Sequence, residues 1–128
     1  NIRWTNDSDV AVNTVYLLDW NHAYSDARSQ LGYFLANEFD YKLIRASKKN
    51  QGYTDIQEIH SNGQQHKWER QPAKREAIKI SFDEAIAPNS SVDFTVVYTV
   101  KLPDADKFRY GISKDRLFTY HWHLVLAT

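Results

Sequence analysis

The sequence predicts a mainly β fold: an antiparallel β-sandwich or saddle-like two-sheet domain with one inserted helix. Aromatic residues make up 14% of the chain, and large rings favour strands over helices. Seven or eight short segments alternate apolar and polar residues between turn-forming residues, which is the pattern of an all-β domain. Only one segment has the helical period. A length of 128 residues fits a single domain spanning residues 1–128.

The first third of the chain is predicted to hold two strands and the helix. Residues 2–6 form the first strand and residues 12–20 the second. Both faces of the second are apolar, with Leu17 on one and Leu18 on the other, so we expect it to be covered on both sides. Residues 21–28 are predicted as a loop. From Ser29, a suitable N-cap, to about Ala46, apolar residues recur at helical spacing.

The rest of the chain is predicted to be strands joined by turns. Asn62-Gly63 favours a tight type I′ hairpin turn, because both central positions need positive φ. Trp68 is predicted to face inward, and Ile78, Ile80 and Phe82 to share one face. The expected strands cover residues 53–60, 64–70, 77–82, 92–102, 108–112 and 117–127.

Composition excludes several classes of function. Sixteen basic residues balance sixteen acidic ones, which predicts neither a nucleic-acid nor an anionic-membrane partner. No cysteine is present, so the chain has no thiol nucleophile, disulfide or thiolate metal site. No apolar run approaches the roughly 18 residues of a membrane helix. The chain contains no His-Glu-x-x-His, phosphate-binding glycine loop or Gly-x-Ser-x-Gly, and we expect neither catalytic residues nor a cofactor in it.

The pair His121 and His123 is the sharpest local chemical feature. Residues two apart on a strand share a face, which suits a common metal ion. A zinc site needs a further ligand, and the sequence indicates none. The favoured interpretation is two solvent-facing histidines beside a Trp122 that faces the core.

Two groups of surface residues also allow two interpretations. Four cations near the end of the predicted helix form either a basic patch or charges that interact with the helix dipole and water, and we favour the second interpretation: Lys42, Arg45, Lys48 and Lys49. Three aromatic residues either stack on a ligand or pack at the core and sheet edges, and we favour packing: Trp4, Trp20 and Tyr24.

The chain contains no methionine, and Asn1-Ile2-Arg3-Trp4 already has the character of a strand. We therefore expect an excised or processed fragment of a larger protein, which the resemblance described next identifies as part of an N-terminal domain.

Three stretches, in their order and spacing, resemble the N-terminal domain of the M1 family of zinc metallopeptidases, in particular a bacterial branch of aminopeptidase-like proteins. The first runs from I-R-W-T-N at residues 2–6 to V-Y-L-L-D-W-N-H-A-Y-S at residues 15–25. The second is Q-G-Y-T-D-I at residues 51–56. The third covers residues 77–103 and continues through F-R-Y-G at residues 108–111 and W-H-L-V-L-A at residues 122–127. The motif positions, for which structural roles are expected, are Asp19, Trp20, Asn21, Tyr24, Gly52, Tyr53, Pro88, Arg109 and Gly111.

The resemblance implies a saddle-like β domain that precedes a thermolysin-like catalytic domain. Zinc and the general base would belong to that following domain, so no catalytic residue is carried over. No substrate contact is carried over either, since His123 stands where a proline is expected. The implied partners are the catalytic domain of the same chain and the peptide substrate of the parent enzyme. The docking surface should then be partly apolar. The alternative is a stand-alone β-sandwich that binds carbohydrate or protein, because this architecture hosts many functions.

Overall fold

The computed structural model describes residues 1–114, 116–119 and 122–127. In them, two four-stranded antiparallel sheets pack together without closing into a barrel, as the sequence predicts. The strands are β1 Ile2–Thr5, β2 Val12–Leu18, β3 Tyr53–Ser61, β4 Gln64–Gln65, β5 Lys67–Arg70, β6 Ala77–Ile86, β7 Ser91–Lys101, β8 Gly111–Ser113, β9 Arg116–Phe118 and β10 Val125–Leu126. The helices are a 3-10 helix Trp20–Ser25, α1 Gln30–Asn37, α2 Lys42–Arg45 and α3 Ala105–Phe108.

One sheet has the order β1-β7-β3-β4 and the other β10-β2-β6-β5, with β8 and β9 as a separate hairpin. The segment predicted as a single strand over residues 64–70 belongs to both sheets. Its first part, β4, pairs with β3, and its second part, β5, pairs with β6. The chain passes from one sheet to the other at His66, so β4 and β5 connect the two layers directly.

The core lies between the inward faces of the two sheets. Ile78, Ile80 and Phe82 are buried on β6, as their alternation predicts. The ring of Phe82 meets that of Phe94 edge to face, with centroids 5.8 Å apart. Trp68 packs against this cluster from β5, so its predicted inward orientation is confirmed.

Strand β3 contains a β-bulge that the alternation alone does not indicate. Its register against β7 shifts between Ile56 and Glu58. An extra residue on one strand moves the following side chains to the opposite face. The bulge therefore allows Ile56 and Ile59, an odd number of residues apart, both to be buried.

The hairpin after β3 has the predicted turn. Asn62 has a φ of 48° and Gly63 a φ of 78°, and positive φ at both central positions is the signature of type I′. The turn joins β3 to β4 in a tight antiparallel pair.

Three predictions in the first half of the chain are wrong. The outer face of β2 is not covered, because Tyr16 and Leu18 are exposed. The loop at residues 21–28 holds the 3-10 helix. The single helix at residues 29–46 is two helices: Ser29 caps α1 as predicted, but Phe39, with a φ of 58°, interrupts the helical path.

The last two predicted strands are also largely wrong. Within residues 108–112 the chain ends α3, turns and enters β8. Arg109 adopts the left-handed conformation and Gly111 has a φ of 117°, and neither dihedral is compatible with a continuous strand. Of residues 117–127, only Leu117–Phe118 and Val125–Leu126 lie in described strands, β9 and β10.

Candidate functional site

Most of the motif positions lie at one end of the sandwich, where the inward-facing side chains of the strands change from apolar to polar. Side chains two residues apart share a face of a strand. The buried row of Leu17 on β2 continues to Asp19, the first residue after the strand, and on β3 the row of Ile56 continues to Thr54. On β5 the row of Trp68 continues to Arg70. Side chains from three strands therefore meet beyond the apolar core, and we call this group the polar end.

Asp19 is the centre of the polar end and is only 1% exposed. Its Oδ1 accepts hydrogen bonds from Thr54 Oγ1 at 2.7 Å and from the backbone N–H of His22 at 3.2 Å. Its Oδ2 accepts from Arg70 Nη2 at 2.8 Å. A buried carboxylate needs such compensation for its lost hydration. Asp19 thus caps the 3-10 helix and joins three strands at once.

His22 lies beside this carboxylate and is held neutral. Its Nδ1 accepts a hydrogen bond from the backbone N–H of Thr54 at 3.3 Å, which places the ring proton on Nε2. Burial lowers the pKa of His22, and the nearby charge of Arg70 lowers it further. The ring serves as an acceptor for backbone rather than as a proton carrier at neutral pH.

Asn21 organises the other side of the polar end and is fully buried. Its Nδ2 donates to the backbone oxygens of Tyr53 at 2.9 Å and Lys101 at 3.0 Å. Its Oδ1 accepts from the hydroxyl of Tyr110 at 3.2 Å. The ring of Tyr24 stacks on that of Tyr110 at a centroid distance of 4.9 Å. Tyr24 is therefore packed inside, in agreement with the favoured interpretation.

Two of the motif glycines lie where a side chain does not fit. A Cβ on Gly52 would be 2.6 Å from Cδ of Pro103, and a Cβ on Gly111 would be 1.9 Å from the backbone oxygen of Pro103. Gly52, just before β3, and Gly111, at the start of β8, therefore both lie directly against Pro103. Their role in this fold is close backbone approach.

The remaining motif positions do not join the polar network through their side chains. Trp20 and Tyr53 have exposed rings. Pro88 is exposed in the turn between β6 and β7. Arg109 lines a surface cleft beside α2 and α3.

A second ionic group borders the polar end. Asp26 accepts hydrogen bonds from the guanidinium groups of Arg28 and Arg75. The backbone N–H of Arg28 also donates to this carboxylate at 2.8 Å and is the main reason why the pKa of Asp26 is lowered. The backbone oxygen of Arg75 accepts from Arg70 at 3.1 Å, so the two groups are connected.

The structure describes only one member of the predicted histidine pair. His121 lies outside the described residues, and His123 is exposed. Trp122 is exposed as well, so the prediction that it faces the core is wrong. Within residues 1–114, 116–119 and 122–127, no three histidine, cysteine or acidic residues are grouped so as to hold a metal ion.

Sequence reasoning missed a serine–histidine contact. Ser61 Oγ and His66 Nε2 are 2.6 Å apart across the hairpin, and burial lowers the pKa of His66. A catalytic pair needs an acceptor on Nδ1 to fix the base tautomer, but Nδ1 of His66 is buried without a partner. A buried N–H without an acceptor is disfavoured, so the proton belongs on Nε2, which donates to Ser61. This arrangement is opposite to that of an activated serine.

The segment of α1 and α2 presents an unusual surface. Five large apolar side chains there are between 40% and 82% exposed, and we call them the aromatic surface: Tyr33, Phe34, Phe39, Tyr41 and Ile44. Leu43, by contrast, is buried and anchors α2 to the domain. Of the apolar residues whose spacing predicts the helix, Phe34 and Phe39 are exposed, whereas Leu31 and Leu35 are half-buried and Leu43 is buried.

A cleft of about 410 Å³ adjoins α2. Four cations and one carboxylate line it together with Ala46, and we call it the basic cleft: Lys42, Arg45, Lys107, Arg109 and Asp106. Lys42 and Arg45 belong to the basic stretch seen in the sequence. The fold adds Lys107 and Arg109, which come from α3 and its C-cap in a distant part of the sequence.

Comparison with protein families, with curated proteins and with solved structures finds no match to this chain. Among the residues that the structure describes, no helix has the length and apolar character needed to cross a membrane.

Proposed function

We propose that this chain is a non-catalytic β domain that packs against a larger catalytic domain, and that the parent protein is a zinc aminopeptidase of the M1 type. The domain would form one wall of the peptide-binding cleft. It would limit access to peptide ends and help to exclude water from the reacting bond. Its partners would be the catalytic domain of the same chain and the peptide substrate of the parent.

The aromatic surface carries the first part of this proposal. Single exposed apolar residues are common on proteins, whereas a group of large ones within one short segment is typical of an interaction site. Five such residues lie within twelve positions, from Tyr33 to Ile44. Burial of this surface by a neighbouring domain would remove these rings from water.

The M1 resemblance supports the identity of the parent. Its motif residues come from distant parts of the sequence, yet Asp19, Asn21, Gly52 and Gly111 meet at or around the polar end. Motif members that lie close together in the fold are more informative than a set of isolated matches. The zinc ion and general base would be supplied by the following domain, and this chain would contribute only shape and support.

The alternative proposal is a stand-alone module that binds carbohydrate or another protein. The exposed rings of Tyr33 and Tyr41 favour it, because tyrosine is enriched at binding surfaces. The two proposals predict different coding sequences downstream of residue 128.

The decisive experiment is to read the coding sequence downstream of Thr128 and to assay the full-length protein. The peptidase proposal requires a His-Glu-x-x-His with a third glutamate about 20 residues later. It also requires hydrolysis of aminoacyl p-nitroanilides that is lost on chelation and restored by zinc. Substitution of the motif glutamate by glutamine is the matched control and should abolish turnover while zinc stays bound. A stop codon near residue 128, or a downstream region without these ligands, would refute the peptidase proposal and favour the binding module.

A further inference from the structure

We infer that the aromatic surface and the basic cleft together form the docking surface, and that they receive an apolar face of the neighbouring domain that carries carboxylates. The identity of that neighbour rests on the proposed function. The location of the surface and the acidic character of its partner come from the geometry of α1, α2 and α3.

Phe39 is the most exposed residue of the aromatic surface, and its backbone is left-handed. It is 82% exposed, and its φ is 58°. A bulky residue in the left-handed region is strained by about 1–2 kcal/mol, which glycine or asparagine would relieve. The left-handed backbone closes the end of α1, because the N–H groups of Phe39 and Asp40 donate to the backbone oxygens of Ala36 at 3.1 Å and Leu35 at 2.8 Å. The ring itself points into solvent and gains no buried contact in the isolated domain. A docking partner that buries the ring would give this residue its function.

The charge of the basic cleft defines the partner. The cleft is lined by four cations and by a single carboxylate, that of Asp106. The positive charge of Lys42 is also compensated by its ion pair with Asp40 at 3.3 Å. Arg109 makes no ion pair with any described residue. Guanidinium groups hold carboxylates with two parallel hydrogen bonds. An acidic partner surface is therefore complementary to this cleft.

Helix α2 joins the two parts into one surface. Tyr41 and Ile44 contribute to the aromatic surface, and Lys42 and Arg45 line the cleft. The guanidinium of Arg45 lies 5.7 Å from the ring centroid of Tyr41. An apolar centre with charged groups at its margin is the usual arrangement of a protein–protein interface.

The test is site-specific crosslinking in the full-length protein. Phe39 is replaced by the photoreactive residue p-benzoylphenylalanine, and the matched control places the same residue at Val10, which is 64% exposed in another part of the domain. The expected result is an intramolecular crosslink from position 39 to a peptide beyond residue 128, at least about tenfold more abundant than from position 10. An equal yield at both positions, or a crosslink between two copies that doubles the mass, would overturn the inference.

The charge requirement is tested in the same protein. Substitutions Arg45→Glu and Arg109→Glu together should lower the crosslink yield from position 39 about fivefold at low salt, and the difference should shrink at about 0.5 M NaCl. The control Lys67→Glu, on exposed β5, should leave the yield unchanged. If the two arginine substitutions leave the yield at the level of the control, the acidic partner is wrong.

These outcomes separate the two proposals. A crosslink from position 39 into a downstream domain without zinc ligands would refute the proposed peptidase and support the docking surface. Crosslinking at the control level in a proven zinc aminopeptidase would refute the docking surface alone.

Discussion

Replacement of Asp19 by asparagine should destabilise the domain by about 3 kcal/mol. Breaking a buried ion pair costs about 3–5 kcal/mol, because the remaining charge loses its partner. The side chain of Arg70 is 20% exposed and keeps hydrogen bonds to the backbone oxygens of Thr54 and Arg75, which argues for the lower end of this range. The asparagine keeps an oxygen for Thr54 Oγ1, so the loss is assigned to the charge.

Urea unfolding followed by tryptophan fluorescence measures this effect. With a slope of about 2 kcal/mol per molar urea, the midpoint should fall by about 1.5 M. The matched control is Asp40→Asn, whose carboxylate pairs with Lys42 at 3.3 Å on the surface, with side-chain exposures of 29% and 55%. That change should cost less than about 0.5 kcal/mol. If the urea midpoint of Asp19→Asn falls no further than that of the control, the assignment of Asp19 as the centre of the polar end is refuted.

Two further predictions concern a glycine and two histidines. Gly111→Ala should destabilise the domain by at least about 3 kcal/mol, because its Cβ would overlap the backbone oxygen of Pro103. The control Gly63→Ala, with open space around the added Cβ, should cost only about 1 kcal/mol. Equal losses of stability for the two variants in thermal or urea unfolding would contradict the packing argument. Burial lowers the pKa of both His22 and His66 from 6.5 in the folded state, so the unfolded chain binds protons that the folded chain does not. The free energy of unfolding should therefore decrease as the pH falls through 6.5 and stop decreasing below the pKa values of the folded state. Each histidine contributes a slope of at most about 1.4 kcal/mol per pH unit. A free energy of unfolding that stays constant from pH 7.5 to 5.5 would contradict this linkage.

The two-sheet fold was predictable because alternation is a local signal. Ile78, Ile80 and Phe82 identify a buried face directly, and Asn62-Gly63 identifies the hairpin through its backbone requirement. These features depend on residues within one strand or turn. The bulge at Ile56 and Glu58 was not predictable, since it depends on the register of β3 against β7.

The helix break at Phe39 was missed because the apolar period continues through it. The period measures spacing, and it does not distinguish residues that face the core from those that face solvent. At the polar end, resemblance drew attention to Asp19 and Asn21, but Arg70, the counterion of Asp19, was not singled out. It lies 51 residues away in sequence, and the two meet only because β5 and β2 flank β6 in one sheet.

The strand pairing also determines when each sheet can be completed during synthesis on the ribosome. β1 pairs with β7, so Ile2 meets Phe94, and β2 receives its outer neighbour only when Val125 and Leu126 arrive. Until then the edge of β2 is unpaired, with Tyr16 and Leu18 beside it. Unpaired apolar edges promote association between nascent chains. We therefore expect nascent chains to be most prone to association in the interval between translation of β2 and of β10.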